Sequence, residues 1–144
     1  REFQIKLSIG PYFKHKQTLS LKRYAKLNNM NLKFLINTDL LHDYFIWSDM
    51  SIIGSGLTKY EMLATGTPGI SISLNKSDHK SNKLVSKKNA IISLPNNISI
   101  KELSRKISKT ANNFSLRTKL SSKSKGLVDG RGLHRVLNAI EKLG

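Results

Sequence analysis

Cysteine is absent from this chain of 144 residues. Disulfide staples and thiolate metal sites are thereby excluded, and a cytoplasmic location fits without being required. Acidic residues are scarce as well: 9 Asp and Glu stand against 25 Lys and Arg, for a formal net charge of +16. That imbalance favours any polyanion electrostatically. The basic residues are spread along the chain among Ser and Asn, densest in "KSDHKSNKLVSKK" and "KLSSKSK", with no nucleic-acid recognition motif and no aromatic-studded basic strand beside them. A lysine-rich solvated surface and a polyanion-binding face both remain open. No apolar run approaches the length of about 18 residues that a membrane helix needs. The four histidines are scattered and do not form a metal site. The opening "REFQIKLSIG" has neither an initiating Met nor a signal-like apolar core, so the chain is expected to be part of a longer protein whose N-terminal domain precedes it.

What is present is one domain's worth of alternating patterns. "FQIKLSI" (3–9) alternates like a strand and is broken by Gly10-Pro11. Residues 18–28 carry apolar side chains at helical spacing, with Asn28 and Asn29 as stop residues. "NLKFLIN" (31–37) reads as a strand, and 39–49 as a short helix capped by Asp39. Strands are expected at "MSIIG", "GISISL" and "AIISLP", separated by helices over 57–66 and 77–88. After Pro95 come three amphipathic helices with no strand between them. The alternation over 3–95 predicts an α/β, Rossmann-like parallel sheet of about five strands with helices on both faces and a C-terminal helical tail.

The informative stretch is "SDMSIIGSGLTKYEMLATGTPGISISL" (48–74). Gly54-Ser55-Gly56 follows one expected strand and precedes a helix, the place where parallel sheets bind ligands. Glycines let a phosphate approach the backbone, and the free amides and positive dipole end of a helix favour negative charge. The backbone from Ser55 through Leu57 to Thr58 is therefore a candidate diphosphate site, with the Ser55 and Thr58 hydroxyls as further donors. A tight turn that binds nothing has the same glycines, and the full dinucleotide and Walker spacings are absent. Glu61 lies a little over one helical turn past Gly56, where a carboxylate can accept two hydrogen bonds from a ribose diol. Leu57, Tyr60, Leu63 and Ala64 are expected to supply the packing around it. The alternative is a surface glutamate beside Lys59. Gly66 reads as the helix stop, and Pro68 and Gly69 as the turn into the next strand.

Together, Thr58, Glu61, Gly66 and Pro68 in the order strand, glycine turn, [ST]-x-x-E-x-x-x-x-G-x-P, strand resemble the donor-binding half of GT-B glycosyltransferases. The pattern is most similar to the spore-coat-polysaccharide and pseudaminic-acid-pathway group, which includes UDP-sugar hydrolases. It is more distantly similar to the lipid-II-forming N-acetylglucosaminyltransferases. "LVDGRGLHRVLNAI" (127–140) resembles the lead-in to that group's last helix. Asp78-His79 stands where relatives carry an amide pair on the donor sugar. Relatives place a glycine-rich loop after the first strand, of which only Gly10 carries over, since Pro11 removes a donor.

The resemblance implies a UDP-like nucleotide sugar as substrate, no cofactor and no metal. Gly10, Gly54, Ser55, Gly56, Leu57, Thr58 and Glu61 would lie on the nucleotide diphosphate, and Asp78 and His79 on the sugar. No catalytic residue is assigned; His79 is the one histidine given a candidate role, since His15, His42 and His134 have no activating partner in the sequence. Trp47 reads as a core anchor under the sheet, or as a neighbour of the base. Arg131 reads as a phosphate contact or a helix cap. The implied partners are the donor and the chain's own N-terminal domain, without which this stretch is expected to be inactive. A glycosyltransferase, a nucleotide-sugar hydrolase and a nonenzymatic basic module remain as alternatives.

Overall fold

The computed structural model describes residues 3–38 and 40–143. Asp39, the expected cap, lies outside the described residues. The chain divides into two compact units, Arg1–Tyr44 and Phe45–Gly144.

In the first unit β1 (Ile5–Ile9), α1 (His15–Leu27) and β2 (Leu32–Ile36) form a β-α-β crossover, and α2 (His42–Trp47) carries the chain into the second unit. The strands are parallel, with Ile5 opposite Leu32 and Ile9 opposite Ile36. α1 begins three residues before the first apolar repeat because Gln17 reaches back, its Oε1 accepting from the Lys14 amide at 3.2 Å. It ends where the sequence places its stop. The Asn28 side chain donates to the Tyr24 carbonyl at 2.8 Å, and Asn29 takes the left-handed conformation at φ 48°.

The second unit continues with β3 (Ser51–Ile53), α3 (Thr58–Thr65), β4 (Gly69–Ile72), α4 (Lys76–Lys87) and β5 (Ile92–Leu94). The order is β3-β4-β5, all parallel, with Ile52, Ile70 and Ile92 in register across the three strands. The expected strands thus all form and all pair in parallel, hydrogen-bonded as a sheet of two and a sheet of three. Met62, Leu63, Ile70, Ala90, Ile91, Leu94 and Leu120 are buried, with Ile70 on the middle strand fully enclosed. Gly66 closes α3 at φ 73°, its amide donating to Leu63 while the Thr67 amide donates to Met62. That left-handed position suits glycine. Gly69 lies against the Met62 side chain, so helix and strand approach closely there.

Core anchoring near α2 falls to a different aromatic from the one expected. Phe45 is 6% exposed and its carbonyl accepts from the Thr67 hydroxyl, whereas Trp47 is 45% exposed. Adjacent aromatics on a short helix point in different directions, and sequence spacing does not say which one faces inward.

The helical tail comprises α5 (Ile100–Ala111), α6 (Phe114–Lys125) and α7 (Gly132–Glu141). Side chains of Asn75, Ser99 and Asn113 cap α4, α5 and α6 by accepting third-position amides. α7 is anchored differently: Asp129 accepts from the Arg131 amide at 3.1 Å and pairs with the Arg135 guanidinium. The Asp129 carboxyl is held at about 2, below its ordinary 3.8, chiefly by the Arg135 hydrogen bond and then by the Arg131 amide. A carboxylate with a depressed value stabilises the fold above its ordinary range, and that contribution disappears as pH falls through the depressed value. Protection of the α7 amides, taken relative to intrinsic exchange, should therefore fall between pH about 4 and about 2. Asp129→Asn should show reduced protection above that range and lose the acid-dependent step.

Candidate functional site

β3 and β4 are parallel neighbours, so the β3–α3 turn and the start of α4 leave the same edge of the sheet. Hydrogen bonds tie these two segments together. The Ser55 hydroxyl contacts the Ile72 carbonyl at 3.4 Å and accepts from the Leu74 amide at 3.2 Å. The Ser71 hydroxyl donates to the Gly54 carbonyl at 3.1 Å. Ser55 is 6% exposed, so its hydroxyl serves the joint between the turns and not a ligand, contrary to the expectation that it adds a donor.

The backbone of the turn is available. The amides of Ser55, Gly56, Leu57 and Thr58 donate no hydrogen bond among the described residues, whereas the next two, Lys59 and Tyr60, donate to Gly56 and Leu57. These are the unpaired donors at a helix start. Gly54 and Gly56 do not adopt positive φ. A Cβ on Gly56 would meet nothing within 4 Å, and one on Gly54 would make ordinary contact with Leu74 at 3.7 Å. Neither backbone conformation nor internal packing calls for glycine at these positions. A bare backbone facing open space gives close access from outside.

Glu61 is exposed in the first turn of α3 and makes no ion pair or side-chain hydrogen bond among the described residues. Its carboxylate is free to accept from a ligand. The packing around it differs from the expected set. Leu57 is 79% exposed, Tyr60 44%, and Ala64 is also exposed, while Met62, Leu63 and Lys59 are buried. The buried face of α3 therefore runs through 59, 62 and 63. The lysine that the sequence sets beside Glu61 on a solvated face points inward.

Asp78 and His79 are half-buried in the first turn of α4. The Asp78 amide donates to Asn75 Oδ1 at 2.9 Å, and His79 Nδ1 lies 3.4 Å from the Ser73 hydroxyl. Behind them is a polar cluster with no counterpart in the sequence reading. Lys59, 1% exposed, donates to Ser81 Oγ at 2.9 Å and to Asn82 Oδ1 at 3.0 Å, and Asn82 in turn reaches Ser71 and Ser73. The signal was the spacing itself, since Lys59 is three and four residues from the buried Met62 and Leu63.

Gly10 belongs to the first unit, at the end of β1, with open space where a Cβ would stand. It lies on a cavity of about 180 Å³ whose lining includes Phe13, His15, Thr18, Lys22 and Asn37. Arg131 precedes α7 without a side-chain cap hydrogen bond, and its amide donates to Asp129. Among the described residues no group of three His, Asp or Glu is placed to hold a metal, and no helix is long and apolar enough to cross a membrane.

No protein-family profile matches the chain, and no curated protein matches it. Solved structures do. MurG of Acinetobacter baumannii aligns at TM-score 0.74 and 17% identity, over 95% of this chain and 43% of that one. WaaG, a glycosyltransferase involved in lipopolysaccharide biosynthesis, aligns at TM-score 0.68 and 14% identity, over 88% of this chain and 34% of its own. This chain thus spans less than half the length of either neighbour. At these identities the likeness speaks to fold alone: the chain has a Rossmann-like α/β architecture matching a GT-B half, with a helical C-terminal tail.

Proposed function

We propose that this chain is the nucleotide-sugar-binding, C-terminal half of a GT-B glycosyltransferase of polysaccharide biosynthesis, acting on a UDP-like donor. The observation that carries the reading is the β3–α3 turn. Four successive amides without partners among the described residues lie between and beside two glycines that the fold itself does not require, and a carboxylate unpaired among the same residues follows within one helical turn.

In this reading the diphosphate rests on the amides of Ser55 to Thr58, where the α3 dipole adds a favourable field. Glu61 accepts the ribose hydroxyls, while Asp78 and His79 face the sugar. The bond from the anomeric carbon to the diphosphate oxygen breaks with its electron pair moving onto the diphosphate. Donors already aimed at that oxygen stabilise the developing charge without reorganisation. An acceptor hydroxyl forms the new bond and yields its proton to a base supplied by the rest of the enzyme.

A hydrolase of the pseudaminic-acid-pathway type uses the same donor chemistry with water as acceptor. The Thr58-to-Pro68 pattern and the Asp-Gly-Arg-Gly lead-in to α7 keep it as the second reading. A third, a nonenzymatic module for nucleic acid or another polyanion, is favoured by one property, the net charge of +16.

UDP binding separates the sugar-nucleotide readings from the third. At ligand well above its dissociation constant, UDP should raise the unfolding free energy by about 1–3 kcal/mol. A melting curve that ignores UDP, together with tight DNA or RNA binding that weakens steeply with salt, would favour the polyanion module.

A further inference from the structure

Lys59 is the charged side chain that the proposed chemistry leaves unused. It is 1% exposed, yet no carboxylate among the described residues pairs with it. Its Nζ donates to Ser81 Oγ and to Asn82 Oδ1, and lies 5.0 Å from the centre of the Tyr60 ring. An enclosed cation held by neutral groups is costly to take out of water. Its retention needs a reason beyond stability.

The direction of its hydrogen bonds supplies one. An ammonium only donates, so Asn82 must turn its Oδ1 toward Lys59 and its Nδ2 away. That Nδ2 reaches Ser71 Oγ at 2.9 Å and Ser73 Oγ at 3.3 Å. Ser71 passes its own proton to the Gly54 carbonyl, at the head of the amide turn. Ser73 is 1% exposed and cannot reach water, and the remaining acceptor for its proton is His79 Nδ1 at 3.4 Å. Were Nδ1 protonated instead, the enclosed Ser73 hydroxyl would be left without an acceptor. The chain therefore branches, one arm ending on the turn and the other on the imidazole.

We propose that Lys59 is a positioning residue whose buried charge orients this branched chain, holding the β3–α3 turn through Ser71 and the His79 ring through Ser73, so that His79 presents Nε2–H to an acceptor oxygen of the bound ligand. Only the last clause, that His79 meets a ligand oxygen, rests on the sugar-nucleotide reading. The chain itself can be examined without ligand.

The test is nitrogen-resolved NMR of the ligand-free chain, at a pH that keeps the imidazole neutral, with urea unfolding alongside. The parent should show His79 protonated at Nε2, with Nδ1 accepting a hydrogen bond. Ser73→Ala should shift the His79 ring nitrogens and leave the Gly54–Ser55 amides in place. Ser71→Ala should do the reverse, and Lys59→Met should shift both ends. Asn82→Asp, which gives Lys59 a carboxylate but removes the two onward donations, should also disturb both ends and keep the fold.

His79 protonated at Nδ1 in the parent would overturn the proposal. So would ends that do not respond to their own branch in the serine variants, or a folded Lys59→Met protein with both ends unmoved. Should Lys59→Met fail to fold, the serine variants and Asn82→Asp decide the matter. When the parent binds UDP-sugar, Lys59→Met should weaken it about tenfold. If the parent does not bind it, the sugar-nucleotide reading falls and the branch pattern still decides this inference.

Discussion

Ile70→Ala should lower the unfolding free energy by about 3–5 kcal/mol, the largest stability loss expected from a single truncation in this chain. Ile70 is 0% exposed on β4, the strand that pairs on both sides, with Ile52 and Ile92 in register with it. Removing three side-chain carbons there forfeits transfer energy and leaves a hole that neighbours pinned in a ladder cannot close. Domains of this kind are stable by only about 5–15 kcal/mol, so the loss should be plain in a urea titration. Ile52→Ala is the internal control. That side chain is 47% exposed, and its truncation should cost under about 1.5 kcal/mol. Equal losses at the two positions would contradict the central placement of β4.

Glu61→Ala should have the opposite signature. The carboxylate is exposed and unpartnered among the described residues, so its loss should change stability by no more than about 0.5 kcal/mol. If it holds a ribose diol through hydrogen bonds to a charged acceptor, worth about 1.5–3 kcal/mol, UDP affinity should fall by about 10- to 150-fold. Glu61→Gln, which keeps one oxygen but loses the charge, should fall between parent and Ala. Calorimetric titration reads the affinity and urea unfolding the stability. An unchanged affinity in Glu61→Ala would remove the ribose contact from the account.

Elements whose boundaries are set by local chemistry were legible in the sequence. Gly66 marks the end of α3 because the cap needs a left-handed residue, and Asn29 ends α1 for the same reason. The lead-in to α7 was read from the resemblance of 127–140 to a family pattern, and in the structure Asp129 accepts the Arg131 amide there. Choices made by tertiary packing were not legible. Phe45 and Trp47 are both large aromatics on a six-residue helix, and only the core's shape selects Phe45. α3 was assigned an apolar face through Leu57, Tyr60, Leu63 and Ala64, of which only Leu63 is buried. The structure instead encloses Lys59, because Ser81 and Asn82 of α4 solvate its ammonium. Spacing sets position 59 on the face of Met62 and Leu63, but not the neutral groups that receive a cation there.

The same distinction runs through the candidate site. Glycines, a threonine and a glutamate at fixed offsets could be found because strand, turn and helix are contiguous in the chain. The joint between the turns could not: Ser55 meets Ile72 and Leu74, and Ser71 meets Gly54, across 17 and 19 residues of separation that depend on strand register. Ser55 was accordingly credited with a ligand contact through a hydroxyl that the fold uses to fasten the turn to β4.

The account's central claim is that the free amides of the β3–α3 turn receive a diphosphate. Amide NMR of the chain titrated with UDP tests it most directly. The largest shifts should fall on Ser55, Gly56, Leu57 and Thr58, the turn's unpartnered amides, and should saturate together with those near Glu61. UDP that binds while leaving these four amides unmoved, or that shifts only the lysine-bearing surfaces of α4 and α6, would contradict it.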